Sequence, residues 1–375
     1  MTTLKLNVAG AGKVGRVLAR RWQQAGVAEI GGVCCRRSSS AEEAVEFIGA
    51  GQVCSLATLP AADLWLISVP DSQIAGVAQA LAGRDNLTPA LAVHASGALT
   101  AAVLAPLAER GWQTASAHPA LSFAEPVRAL ATFEGTPVAL EGMEDACQVL
   151  DPLLTAIGAR PFLLSSEHKP RYHAACTIAS NYVVTLADMA WRVAREAGLD
   201  AETARDVLGP LASQSLVNAF QFGPATALTG PVVRGDSGTV ALHLDELTDP
   251  LDEQAYRALG RLALRLAGGR LDAEHRDALS TLLQYNLDKE GYRVAVAGDS
   301  AGGHLALVTA LRLKANAAWQ PAQLILIYPM LDLMKLAEGI MHAVDKGISA
   351  REYRHDARFA SVLDRVGELH ARDRF

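Results

Sequence analysis

Leu4-Lys5-Leu6-Asn7-Val8-Ala9-Gly10-Ala11-Gly12-Lys13-Val14-Gly15 is the stretch on which the reading of the first half of the chain turns. The apolar run from Leu4 to Ala9 predicts a strand, and Val14, Val17, Leu18 and Trp22 fall at helical spacing over 14–24. Between the two stands a G-x-G-x-x-G. Gly10 allows a tight turn, Gly12 lets backbone approach a pyrophosphate, and Gly15 lets helix and strand pack closely. The helix N-terminus adds amide donors and a favourable dipole. Three glycines in a turn are a weak signal alone; between a strand and a helix they meet the context a dinucleotide site requires. Gly10, Gly12, Lys13, Val14 and Gly15 are therefore expected to hold the pyrophosphate.

Outward from this turn, 28–34, 64–69 and 90–94 are strand-like and 74–81 is helical. Strands alternating with helices predict parallel βαβ units, and so an α/β Rossmann domain over residues 1–164. The second strand runs into Cys34-Cys35-Arg36-Arg37-Ser38-Ser39. An NAD site usually has Asp or Glu there to accept from the ribose. Two guanidiniums and a hydroxyl suit a 2′-phosphate instead, so NADP(H) is expected over NAD(H), held by Arg36, Arg37 and Ser38. Two solvated surface arginines are the plainer alternative. Val69 and Pro70, at the end of a later strand, would line the same crevice.

Residues 161–170 read as a connector. From Tyr172 to about Leu283 strand-like runs vanish, and helical periodicity is broken only at Gly209-Pro210, Gly223-Pro224 and Gly230-Pro231. This predicts an all-helical domain over 165–283. Beyond it, 292–297 and 324–328 are strand-like, 298–303 is a tight turn and 305–314 is helical. That predicts a C-terminal βαβ fragment over 284–332, followed by an amphipathic helical tail over 333–375.

Half of the 375 residues are hydrophobic, enough to fill sizeable cores, which excludes a disordered or collagen-like chain. The net charge is −6 and no basic block stands out, so neither nucleic acid nor an anionic membrane is an expected partner. Five cysteines form no C-x-x-C pair and lack metal-ligand spacing. They fit a reducing compartment, and no metal site is expected. No apolar run reaches the roughly 18 residues of a membrane span, and the first residues already read as a strand rather than a signal peptide. A soluble, cytoplasmic protein is expected.

Several further segments carry a resemblance. They are 93–98 (VHASGA), 117–123 (AHPALSF), 172–175 (YHAA), 179–181 (ASN), 227–231 (ALTGP) and 234–236 (RGD). In this order behind a G-x-G-x-x-G, the chain resembles the Rossmann-like oxidoreductases that carry a C-terminal domain of unknown function (DUF2520). That group is similar to pyrroline-5-carboxylate reductase and, more distantly, to 6-phosphogluconate and β-hydroxyacid dehydrogenases. The resemblance covers about residues 1–283. It implies a Rossmann domain followed by a helical domain that commonly makes a dimer, and it implies no particular substrate.

Hydride transfer to C=N or C=O needs a polar group near the receiving carbon. His118 and His173 are the candidates for handling the proton, with Asn181 orienting substrate. His173, Thr177 and Asn181 step by four residues along one helix, so they would share a face. Ser96, Thr229 and Arg234 are candidate substrate contacts, Arg234 by gripping a carboxylate bidentately. Each has a bland alternative: a core hydrogen bond for the histidines, helix packing for Asn181. Lys169 and Asn181 look superficially like the lysine and asparagine of the β-hydroxyacid dehydrogenases. Their spacing departs from that pattern, so the lysine role is not carried over.

The segment 294–303 (VAVAGDSAGG) holds a G-x-S-x-G around Ser300 between a strand and a helix. With 324–332 (LILIYPMLD) it resembles the hormone-sensitive-lipase branch of the α/β-hydrolases. The upstream oxyanion loop and earlier strands of such an enzyme are absent. Asp332, His342, Asp345 and His355 stand in no recognisable triad motif. The sequence is read as an NADP(H)-dependent oxidoreductase reducing C=N or C=O of a small acid at an interdomain cleft, as a homodimer through the helical domain. A non-catalytic NADP(H)-binding regulatory module and a serine esterase at Ser300 are the alternatives.

Overall fold

The computed structural model describes residues 3–284 and two short strands, 295–298 and 323–326. The chain divides into two compact units, one ending at Leu208 and the other beginning at Gly209.

The first unit alternates β1 (Leu4–Ala9), α1 (Lys13–Gln24), β2 (Ala28–Cys34), α2 (Ser38–Ile48), β3 (Gln52–Val53), β4 (Leu64–Ile67), α3 (Asp71–Ala82) and β5 (Leu91–His94). It continues with α4 (Ala105–Ala108), β6 (Gln113–Pro119), α5 (Pro126–Ala131), β7 (Pro137–Gly142), α6 (Glu144–Thr155) and β8 (Arg160–Leu163), then α7 (Lys169–Ala179) and α8 (Asn181–Glu196). One sheet holds the strands in the order β3-β2-β1-β4-β5-β6-β7-β8. All neighbours are parallel except β6 and β7, which pair antiparallel with His118 opposite Ala139. The order reverses at β1, so the β1–β4 boundary is the switch point at which open α/β sheets bind ligands.

Strands β4 and β5 are buried along their whole length, as expected of a sheet covered on both faces. One face packs Leu6, Val8, Leu64 and Leu66 against Val17, Leu18 and Trp22 of α1 and Leu150 and Leu154 of α6. The other packs Trp65, Ile67 and Ala92 against Ile74, Ala78 and Leu81 of α3. The Trp22 ring is fully buried and its indole N–H donates to Leu153 O at 3.0 Å, so its one polar atom is satisfied.

Asn7 lies in the middle of β1 and is fully buried. The β1–β2 register shifts between Leu6 and Val8, which takes a ladder bond away from β2. The Asn7 side chain restores it: Oδ1 accepts from Gly32 N at 2.7 Å and Nδ2 donates to Pro60 O at 2.6 Å. Strand irregularity and buried amide therefore explain each other.

Three local readings change, the first being that Gly209-Pro210 lies inside the helix Ala201–Phe222 instead of breaking it. Residues 160–163, inside and just before the expected connector, form the edge strand β8, paired with β7. The one helix expected to carry His173, Thr177 and Asn181 breaks at Ser180, whose φ of −118° leaves α7 and α8 as separate helices. Asn181 is thus the first residue of a new helix and does not continue the face that carries His173.

The second helix-only region includes α9 (Ala201–Phe222), which spans the division, then α10 (Pro224–Ala227), α11 (Pro231–Arg234), α12 (Ser237–Glu246), α13 (Pro250–Ala267) and α14 (Ala273–Leu283). Asp236, Asp249 and Asp272 cap α12, α13 and α14 by accepting from Thr239 N, Leu251 N and His275 N. Val240, Leu244, Leu264, Leu279 and Leu283 form the core of this unit. Arg257 of α13, paired with Glu253, donates to the carbonyls of Leu282 and Gln284 and so closes the C-terminus of α14.

The remaining strands, β9 (Ala295–Gly298) and β10 (Gln323–Leu326), pair parallel with Ala295 opposite Gln323. Both fall where strands are expected. The rest of the nucleophile-elbow turn with Ser300, the helix expected over 305–314, the candidate acids and histidines beyond it and the tail over 333–375 lie outside the described residues.

Candidate functional site

Strands β1, β2, β4, β5 and β6 all point their C-terminal ends to one edge of the sheet. That edge gathers Gly10, Cys34, Ser68, His94 and His118 with the turns that follow them.

At the switch point the three glycines have different reasons to be glycine. Gly10 has φ +89°, and a Cβ there would lie 2.5 Å from Val69 Cγ1 and 2.7 Å from Ser68 O. A Cβ on Gly15 would lie 2.5 Å from Gly10 O, so α1 can approach the turn only without one. A Cβ on Gly12 would meet nothing within 4 Å. Two glycines are filled by protein and one faces open space, as a ligand cradle requires. The first turn of α1 has no side-chain cap, so its amides remain available to an anion. A pyrophosphate fits these features. The Lys13 ammonium donates to Ala124 O at 2.6 Å, in the loop after β6. Val69 packs over Gly10, and Pro70 is exposed at the start of α3.

Cys34 O accepts from Gly10 N at 2.8 Å and Cys35 Sγ from Ala11 N at 3.4 Å, so the end of β2 is tied directly to the glycine turn. Burial pushes the Cys34 thiol up, helped by Cys35 and Cys54. Arg36 and Arg37 follow, both exposed, with no ion-pair partner among the described residues. Ser38 opens α2 and its hydroxyl lies 3.1 Å from Glu42 Oε1.

Further along the edge, the turn after β5 brings Ser96 and Gly97 beneath two imidazoles. Ser96 Oγ donates to Asp71 Oδ2 at 2.8 Å and accepts from Ala98 N and Leu99 N, so this hydroxyl holds its own turn to the start of α3. His94 is fully buried; Nδ1 accepts from Ser96 N at 3.2 Å, and Nε2 lies 3.1 Å from Thr100 O, which can only accept. That pattern places the His94 proton on Nε2. Burial, and secondarily the Lys169 charge, lowers the His94 pKa to about 4.

His118 and His173 come together, their rings edge-to-face at 5.7 Å. A Cβ on Gly97 would collide with His173 Cδ2 and lie 2.8 Å from His118 Nε2, so both rings converge on this glycine. Tyr172, absent from the expected set, completes the group, with its hydroxyl 3.1 Å from His118 Nδ1. Burial, then His173 and Lys169, lowers the His118 pKa to about 4. Asn181 is exposed.

Near these rings lies a buried ion pair: Lys169, weighed from sequence only for its likeness to a dehydrogenase lysine, is paired with Glu141. Lys169 is fully buried, with Nζ donating to Ser116 Oγ and lying 3.4 Å from Glu141 Oε2. Glu141 also accepts from Ala101 N at 2.9 Å and Ser166 Oγ at 2.6 Å. The lysine is thus held inside the protein and faces β6 and β7 rather than a ligand.

In the second unit, Thr229 and Arg234 are exposed. Arg234 ends α11, Gly235 turns the chain at φ +74° under His275, and Asp236 caps α12, so the Arg-Gly-Asp tripeptide is a helix–helix junction. Among the described residues no group of His, Cys, Asp and Glu is placed to hold a metal, and no helix is long and apolar enough to cross a membrane.

Comparison with known proteins agrees with this architecture. Residues 1–119 match the Rossmann-like domain, 136–263 the domain of unknown function DUF2520, and 268–361 the alpha/beta hydrolase fold. The chain thus carries a Rossmann-like domain and a DUF2520 domain, with a hydrolase-like match at its C-terminus. No curated protein matches it significantly. Among solved structures, a protein from Thermotoga maritima is 28% identical over 70% of this chain and 98% of its own, with a TM-score of 0.56. A protein from Bacteroides fragilis described as a candidate NADP oxidoreductase is 24% identical over 70% and 98%, TM-score 0.60. An imine reductase from Pseudomonas sp. is 20% identical over 76% and 100%, TM-score 0.52. The last two share the fold.

Proposed function

We propose that the chain is an NADP(H)-dependent oxidoreductase that reduces a C=N or C=O bond of a small acid. The observation that carries this reading is the glycine turn at the β1–β4 switch point. Gly10 and Gly15 are closed by protein while Gly12 stands open before uncapped helix amides. Gly12, Val14 and Gly15 would hold the pyrophosphate, and the free guanidiniums of Arg36 and Arg37 a 2′-phosphate. When bound, the nicotinamide supplies a hydride. His118 Nε2 then handles the proton at the heteroatom, with His173 beside it. Asn181 is a further proposed substrate contact. Large apolar side chains stand exposed on α8 and α9, among them Trp191, Phe220 and Phe222, which supports a homodimer through the helical region.

Titration with NADPH and NADH, followed by intrinsic fluorescence or melting temperature, tests the core of this reading. NADPH is expected to bind more tightly than NADH. Binding of neither refutes it, and binding without turnover of any keto or imino acid would leave a cofactor-sensing module.

A further inference from the structure

We propose that Cys34 and Cys54 are a reversible oxidation site. A low-molecular-weight disulfide converts their thiols to a bridge between β2 and β3, and the bridge weakens the hold of the glycine turn on NADP(H). The bridge is independent of the reductase reading; its effect on cofactor rests on that reading.

Register sets the two residues side by side. Strands β2 and β3 pair parallel, with Gly32 opposite Gln52 and Val33 opposite Val53. Cys54 N donates to Val33 O at 3.0 Å, so the ladder runs one step past its last pair and brings Cys54 opposite Cys34. Neighbouring strands lie about 4.8 Å apart, inside the roughly 4.4–6.8 Å between the Cα atoms of a disulfide. The side chains also share a face. Both pack against the core that holds Leu59, Trp65 and Ile67. The Cys54 sulfur reaches over β2: a Cβ on Gly32, on the same face two residues before Cys34, would lie 3.2 Å from it. Rotation about χ1 of Cys54 turns that sulfur toward Cys34.

The remaining cysteines are placed elsewhere. Cys35 packs against the core on the opposite face, where its sulfur accepts from Ala11 N. Cys147 belongs to α6 and Cys176 to α7. Among the described residues no group of three His, Cys, Asp or Glu is placed to hold a metal, so the chemistry open to this pair is that of thiols.

The Cβ atoms of a disulfide stand about 3.8 Å apart, so closing the bridge draws the two strands together by about 1 Å. Strand β3 has two residues, both exposed, at the edge of the sheet, and yields easily. Strand β2 is not free to move alone. Cys34 O accepts from Gly10 N, Cys35 Sγ accepts from Ala11 N, and Arg36 and Arg37 follow directly. Any share of the movement taken by β2 therefore reaches both the turn and the two guanidiniums.

Burial keeps the Cys34 thiol protonated, so Cys54 reacts first. Its thiolate attacks one sulfur of the small disulfide; an S–S bond forms to Cys54, the small S–S bond breaks, and one small thiolate leaves. Cys34 then loses its proton to water and its sulfur attacks Cys54 Sγ, expelling the second small thiolate. Both leaving thiolates take protons from water. Two protein thiols are oxidised to one disulfide, and the small disulfide is reduced to two thiols. A bridge that strains its strands is readily reduced again.

The test incubates the full chain with oxidised glutathione. Free thiols are expected to fall from five to three, and non-reducing peptide mapping to show Cys34 joined to Cys54. Cys35→Ser is expected to keep the bridge and Cys54→Ser to lose it. Five free thiols after treatment, a glutathione adduct that no second cysteine displaces, or a bridge joining any other pair overturns the proposal. NADPH affinity, by fluorescence titration, is expected to fall about tenfold or more in the bridged wild type and to return with dithiothreitol. In Cys54→Ser the oxidant is expected to leave it unchanged; should that variant not fold, reversal in the wild type decides. A bridge without loss of affinity overturns the coupling to the turn. Reduced wild type that binds no NADPH refutes the reductase reading, and the peptide map then decides the bridge alone.

Discussion

Replacing Glu141 by Gln breaks a buried ion pair. The side chains of Lys169 and Glu141 are 1% and 3% exposed, so neither charge is solvated by water. Gln keeps the shape of Glu141 and an oxygen to accept from Ala101 N or Ser166 Oγ, but removes the charge opposite Nζ. A buried pair broken on one side costs about 3–5 kcal/mol, a large part of a total stability of about 5–15 kcal/mol. Urea unfolding of wild type, Glu141→Gln, Lys169→Met and the double variant measures it. Each single variant is expected to lose about 3 kcal/mol or more, and the double far less than their sum. The pH dependence adds a second signature. Burial lowers the Lys169 pKa and Glu141 works against that lowering. In the alkaline window between the folded and unfolded values the unfolded chain binds the proton the folded chain has lost, so stability rises with pH. Removing Glu141 lowers the folded value further and extends that rise toward neutral pH. Single variants that each cost under about 1 kcal/mol, or that simply add in the double, would refute the reasoning.

Gly15→Ala, whose Cβ would lie 2.5 Å from Gly10 O, is expected to cost about 1–3 kcal/mol in unfolding. Gly12→Ala should leave the melting temperature unchanged and weaken NADPH binding tenfold or more; equal effects of the two on stability would contradict the cradle. Arg36→Ala with Arg37→Ala is expected to weaken NADPH about tenfold or more and to leave NADH alone; unchanged NADPH affinity removes the 2′-phosphate assignment. His94 has a folded pKa of about 4 against 6.5, so the unfolded chain takes up its proton first as the solution is acidified. Stability should therefore fall between pH 6.5 and 4, by roughly 3 kcal/mol for this residue, and acid titration of His94→Asn should show a shallower fall. Hydrolysis of p-nitrophenyl acetate should proceed at equal rates in wild type and Ser300→Ala; a rate lost in the variant would favour the esterase reading.

What could be read in advance was local. Strands β1, β2, β4 and β5 announce themselves as short apolar runs because both faces of the sheet are covered, and Gly10 and Gly15 are demanded by backbone within a few residues or by the residues that follow β4. Strand β8 was hidden because Arg160-Pro161-Phe162-Leu163 is a four-residue edge strand with a proline and three exposed side chains. The antiparallel β6–β7 pairing leaves no trace in hydropathy. Asn7 reads as a polar interruption of a strand until the register shift beside it is known. The site histidines were visible as types, but their partners lie far away in sequence. His118 meets Tyr172 across 54 residues and Lys169 meets Glu141 across 28. A lysine in His168-Lys169-Pro170-Arg171 looks like a solvated linker; only the fold shows it buried.

That lysine also acts as an index mark for the helix it begins. An α-helix turns about 100° per residue, so side chains three and four positions on point roughly 60° and 40° to either side of the first. Lys169 is clamped to Ser116 on β6, and Tyr172 and His173 are the residues at those two positions. Fixing the rotation of α7 at its first residue thus aims both rings at His118, two residues further along the same strand. One residue inserted between 169 and 172 would swing both rings away by about 100° without altering either of them.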